Sequence, residues 1–247
     1  MRSFTQNPKI LAIIDLVERQ LGYPIQLSLL SAAEFRMMTG GVQRRSGMWT
    51  FLHYPGHTYT DATLCHELMH ISLHIEGWPI LQTLVELQKY EDMDFILLLA
   101  GTLFEHLEVW RRGILLGLPE TSLWDAEIET LIQKMTHGVF GRSATPALQE
   151  LHQALCLTQA LLSPASRASR RRLSQSARKN LPRALERADC FCHIYNKHRQ
   201  GYPHSAEIAS QEILGAAKAE IPPGALRFEF PATSSPDLFA QIQAYVT

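Results

Sequence analysis

The 247-residue sequence contains no extended apolar stretch: its longest, FILLLAGTLF at 95–104, falls well short of the roughly 18 apolar residues a membrane span needs. The N-terminal MRSFTQNPKILAIIDLVERQ is interrupted by Asp15, Glu18 and Arg19, which reads as an amphipathic helix and not as a signal peptide. Cysteine is scarce, with four residues and no spacing of a disulfide framework, so a soluble protein of a reducing, cytoplasmic compartment is expected. Charged residues are only 19%, against 46% hydrophobic, a balance that excludes a disordered or low-complexity chain. Neither a Walker loop nor a GxGxxG is present, and no internal repeat, so no nucleotide site is announced by motif.

Net charge is also close to nil, at a formal −1. That balance conceals a polarity. Residues 1–150 hold 11 Lys/Arg against 17 Asp/Glu, and residues 151–247 hold 12 against 7. Within 167–199 there are ten basic residues and two acidic ones.

The periodicity predicts a helix over 7–22, with Ile10, Leu11, Ile14, Val17 and Leu21 on one stripe and Gly22 as its stop. IQLSLLS at 25–31 has strand character, and 41–45 with 47–54 flank a Ser46-Gly47 step that predicts a hairpin. After Pro55-Gly56, Thr58, Thr60 and Asp61 offer caps for a helix to about residue 75. Helices are expected over 79–90, 92–117 and 125–138, and beyond GRSATP (141–146) over 146–162, 166–199 and 205–219. RFEF (227–230) is the one strand-like piece of the tail. The expected fold is α+β and zincin-like: mostly helical with a small mixed or antiparallel sheet, a metallopeptidase-type domain at 1–140 and a helical C-terminal region at 146–247.

The chemistry sits in LCHELMHISLH. On a helix, residues four apart differ by about 40° in azimuth and 6 Å in rise, so His66 and His70 can direct two imidazoles to one Zn²⁺. Glu67 then lies beside a metal-activated water, able to take its proton and deliver it to a leaving amine. The bland alternative is an amphipathic helix carrying two solvated histidines. A metzincin third ligand is excluded, because Leu73 and Glu76 stand where Gly and His are required. His74 lies about 12 Å along the helix from His66, beyond the reach of one ion.

The segment FILLLAGTLFEHLEVWRR offers Glu105 and Glu108 as the third ligand. Glu108 has Arg111 and Arg112 three and four residues on, so a salt bridge accounts for it. Glu105 has no such partner on its helix and stands in an apolar stretch, where a metal would offset the cost of a carboxylate; an exposed position or a distant arginine would do the same. Glu105 is the expected ligand. His106 and Glu108 are candidates for contacts to the ligands.

With HELMH, the GWP turn and LFEHLEVWRRGILLGLPE about 35 residues on, the chain resembles the gluzincins, in particular the ImmA/IrrE group of small bacterial metallopeptidases. The resemblance covers about residues 7–120. It implies an N-terminal helix and a three-stranded sheet before the HExxH helix, a Glu from the next long helix as third ligand, and a restricted intracellular protein or peptide substrate. It also implies that GMWTFLHY is the edge strand along which that substrate pairs.

A catalytically silent, metal-stabilised scaffold is the competing expectation, its basic helical half binding a partner protein or nucleic acid. For the stretch 166–187 a solvated helix face is expected over nucleic-acid binding, since interleaved aromatics are missing. Cys190 and Cys192 invite a second metal, but residues two apart on a helix face away from each other.

Overall fold

A computed structural model describes residues 1–30, 41–83, 93–140, 146–201, 205–216, 226–232, 234–235 and 237–246. Its helices are α1 (Pro8–Leu21), α2 (Asp61–Ile75), α3 (Met93–Leu115), α4 (Glu120–Thr136), α5 (Pro146–Leu162), α6 (Arg167–Asn180), α7 (Pro182–His198), α8 (Ala206–Ala216) and α9 (Leu238–Val246). Its strands are β1 (Gln26–Leu29), β2 (Gly41–Arg45), β3 (Met48–His53), β4 (Ile80–Thr83) and β5 (Leu226–Glu229). The architecture is mostly helical with a small mixed sheet, as the α+β expectation required. No described helix is long and apolar enough to cross a membrane.

The chain divides into two compact units by a different rule from the expected linear cut at 141–146. The first comprises Met1–Trp78, Arg111–Leu118 and Pro231–Thr247; the second comprises Pro79–Trp110 and Pro119–Phe230. Helix α3 runs without a break through both, and its last turn, from Arg111, belongs to the first.

In the first unit α1 starts at Asn7, whose side chain accepts from the Lys9 N–H, and has Pro8 at its first position, where a missing N–H costs nothing. It stops at Gly22, left-handed at φ 75°, whose N–H returns to the Glu18 carbonyl. Its buried stripe of Ile10, Ile13, Ile14 and Val17 faces α2 and α9. The predicted hairpin is present. Ser46 and Gly47 have φ of 50° and 81°, the backbone of a two-residue turn whose twist matches its strands, and Arg45 pairs with Met48 across it.

The sheet order is β1-β3-β2, parallel between β1 and β3 and antiparallel between β2 and β3. β3, which contains the GMWTFLHY stretch, is therefore the central strand. This overturns its expected place at the edge, and the reason is visible in its burial: Trp49, Thr50, Phe51 and Leu52 are all buried, a continuous run that alternation alone does not reveal. Phe4, Phe51 and Tyr59 pack edge to face at 5.1–5.6 Å between ring centres, closing the N-terminal segment over β3.

The second unit encloses a core built from Leu103, Phe104, Ile128, Leu151, Leu155, Leu173, Phe191 and Ile213. Small residues there, Ala154, Ala177, Ala184 and Ala188, are fully or almost fully buried. Two expectations are corrected in this unit. The single helix over 166–199 is two, because Pro182 cannot continue the hydrogen-bond ladder and instead opens α7 at its first turn. The helix expected from residue 79 begins as strand β4, which pairs antiparallel with β5, the RFEF piece of the tail; residues 84–90 of that expected helix lie outside the described residues.

Candidate metal centre

Helix α2 is set by its ends and its surroundings. The Thr60 hydroxyl accepts from the Thr63 N–H, and Asp61 stands in the first turn, where the helix dipole favours a carboxylate. The Asp61 carboxylate also accepts from Thr5 Oγ1 at 2.6 Å and Asn7 Nδ2 at 2.9 Å, and these donors hold its pKa below the ordinary carboxylate value. Leu64, Cys65, Leu68, Met69, Ile71 and Leu73 are buried almost completely, so the helix is packed on most of its circumference. A helix fixed on so many sides leaves its polar residues little freedom of position.

His66 and His70 lie one turn apart as the spacing required, with their Nε2 atoms 3.2 Å apart and their rings nearly perpendicular. His106 of α3 joins them: ligand atoms of His66, His70 and His106 all fall within 4.8 Å of one another, a group that could hold a metal ion. A tetrahedral zinc with ligands at about 2.0–2.1 Å separates neighbouring nitrogens by about 3.3 Å, so the His66–His70 pair already has that spacing.

His106 is oriented by its own helix. Its Nδ1 lies 2.9 Å from the Thr102 carbonyl, a contact that requires Nδ1 to carry the proton and leaves the Nε2 lone pair for another partner. That arrangement, a backbone carbonyl fixing the tautomer of an imidazole, is the one metal-bound histidines adopt.

Glu67 is held from a different direction. The Val42 N–H donates to its Oε2 at 2.9 Å, so the carboxylate is tied to β2. In the two-residue hairpin, Arg45 and Met48 form the hydrogen-bonded pair, and alternation leaves Val42 and Arg44 with backbone groups directed away from β3. Glu67 therefore meets the outer side of β2, the last strand in the sheet order.

The other residues singled out by sequence are distributed as follows. Glu105 and Glu108 are half-buried on α3, and neither belongs to the group of three that includes His106. Arg112 pairs with Glu76 of the turn after α2. It also donates to Ser72 Oγ at 3.2 Å and lies over the Phe239 ring at 4.5 Å. His74 is 8% exposed, stacked on Trp49 with its Nδ1 at 3.0 Å from the Trp78 carbonyl, a packing role. All four cysteines are free thiols, and burial pushes Cys156 and Cys192 up to about 12, which keeps them protonated. Among the described residues, Cys190 and Cys192 join no group of metal-ligand type.

The sequence marks His106 only as a neighbour of the ligands. The signal for more was its adjacency to Glu105, but neighbours on a helix face about 100° apart, and helical spacing alone does not say which of the two is a ligand. In comparisons with protein-family models, curated proteins and solved structures, nothing matches the chain.

Proposed function

We propose that the chain is a zinc-dependent peptidase of zincin-like type, with His66, His70 and His106 as the metal ligands and Glu67 as the proton carrier. The observation that carries this reading is the three-histidine group; the carboxylate of the residue after His66 is anchored to β2 by the Val42 N–H. The donor set fits zinc: three neutral imidazoles leave a fourth position open, the arrangement of catalytic and not of closed structural sites. Zinc bound there supplies Lewis acidity, acidifying water and polarising a carbonyl.

The chain's own residues do the rest. Glu67 accepts the proton of the attacking water and returns it to the amine as the peptide C–N bond breaks. The Val42 N–H fixes the Glu67 carboxylate, so the base does not swing away between those two steps. The outward backbone groups of Arg44, two residues or about 7 Å along β2, offer an extended peptide a place to pair beside Glu67. A restricted protein substrate in the cytoplasm is part of the same proposal, and it rests on the resemblance to the ImmA/IrrE group.

The test is paired. Glu67→Gln is expected to retain about one zinc per chain by elemental analysis and to lose cleavage of a casein-derived peptide library. Undiminished turnover by that variant would refute the role of Glu67. His106→Ala is expected to weaken zinc by roughly 70-fold to 1,000-fold, since about 10–16 kcal/mol shared over four ligands is roughly 2.5–4 kcal/mol each. Full zinc in His106→Ala together with loss in Glu105→Ala would restore Glu105 as the third ligand.

A further inference from the structure

Helix α6, RASRRRLSQSARKN, carries five arginines and a lysine in 14 residues and no carboxylate. Its buried side is Ser169, Leu173 and Ala177, spaced four apart on one narrow line. At about 100° per residue, Arg167, Arg171 and Arg178 fall within roughly 40° of one another on the far side, with Arg172 and Lys179 about 100° further round. Arg167, Arg171, Arg172, Arg178 and Lys179 are all exposed.

Helix stability does not account for this pattern. Four arginines stand in the first six residues, at the positive end of the helix dipole, where cations are unfavourable. The pairs Arg167–Arg170 and Arg167–Arg171 set like charges at the spacings where side chains meet. Neighbouring acids relieve little of it. Glu129 of α4 pairs with Arg172 at 2.5 Å, and Asp125 is engaged by the Ser166 N–H at 2.8 Å. Among the described residues, Arg167, Arg171, Arg178 and Lys179 have no carboxylate partner.

We propose that the outward face of α6 binds double-stranded DNA through its phosphate backbone. The face fits that ligand better than a protein. Its exposed residues are Arg167, Ala168, Arg171, Arg172, Gln175, Arg178 and Lys179, without one aromatic or large apolar side chain to fill a pocket at the centre of a protein interface. The same lack removes the stacking platform a single strand needs. A 14-residue helix is about 21 Å long and enters the roughly 12 Å wide major groove of B-form DNA, whereas the major groove of double-stranded RNA is too narrow. Arginine suits the planar, bidentate recognition of phosphate. This face is independent of the zinc reading and stands whether or not the chain cleaves peptides.

The experiment is fluorescence anisotropy of the full chain with a labelled 24-base-pair duplex, titrated from 50 to 200 mM salt. Four phosphate contacts predict a slope of about −3.6 in log K against log salt, a loss of about 150-fold over that range. Arg171→Glu/Arg178→Glu is expected to weaken binding at 100 mM more than tenfold and to flatten the slope by about two, with unchanged circular dichroism. The matched variant Lys9→Glu/Arg19→Glu, at exposed positions of α1, is expected to bind as the wild type does. No binding at 50 mM, an unaltered slope in the α6 variant, or equal weakening by the α1 variant would each overturn the proposal. So would tighter binding of single strands, of double-stranded RNA or of heparin than of the duplex.

Discussion

Arg112→Met removes one partner from an ion pair in which both side chains are only 7% exposed. Glu76 would be left in the interior with its remaining donor, the Phe239 N–H at 2.6 Å on Oε1. Breaking a buried pair from one side costs about 3–5 kcal/mol. The surviving backbone bond argues for the lower end, and loss of the guanidinium from the Phe239 ring adds about 1 kcal/mol. The expected destabilisation is about 4 kcal/mol.

Glu76→Gln/Arg112→Met removes both charges while the new side-chain amide oxygen still accepts from the Phe239 N–H, so it is expected to lie within about 2 kcal/mol of wild type. Urea denaturation followed by tryptophan fluorescence and by circular dichroism measures both, and the double-mutant cycle isolates the coupling. If Arg112→Met unfolds within about 1 kcal/mol of wild type, or the double variant is no more stable than the single, the pair does not hold α2, α3 and α9 as described.

Burial raises Glu120, 4% exposed at the first position of α4, to about 7. The folded chain therefore keeps a proton that the unfolded chain releases near the ordinary carboxylate value of about 4.3, so stability falls as pH rises from about 4.3 to 7 and levels above. Glu120→Gln is expected to flatten that limb and to raise the melting temperature at pH 8 but not at pH 4; identical pH profiles would refute it. For the thiols, Ellman's reagent on native protein at pH 8 is expected to label exposed Cys190 promptly, half-buried Cys156 and Cys192 more slowly because their thiols stay protonated, and Cys65, 1% exposed, only on unfolding. Prompt labelling of Cys65 in the native protein would contradict its burial.

Local signals settled what depends on near neighbours in the chain. The α1 stripe between Asn7 and Gly22, the Ser46-Gly47 hairpin, and the α2 spacing that joins His66 to His70 were all legible, because caps, turns and helical periodicity act over four residues or fewer. The break of the 166–199 helix is equally local in cause, since Pro182 interrupts the hydrogen-bond ladder whatever packs around it, yet the basic periodicity on either side masks it.

Contacts between distant segments were not legible. Nothing in GMWTFLHY says that β1 lies on its other side and makes it central, since a buried run on both faces and a buried run at an edge are written with the same residues. Arg112 meets Glu76, 36 residues away, a pairing that no local spacing announces. The tail beyond residue 230 gave no sign that Phe239 would meet Glu76 and Arg112. The same holds at the metal centre: α2 fixes two imidazoles by its own geometry, while the third donor, His106, comes from a distant part of the sequence. Helical spacing specifies angles around one axis, and the relation between two axes is decided only when their side chains pack.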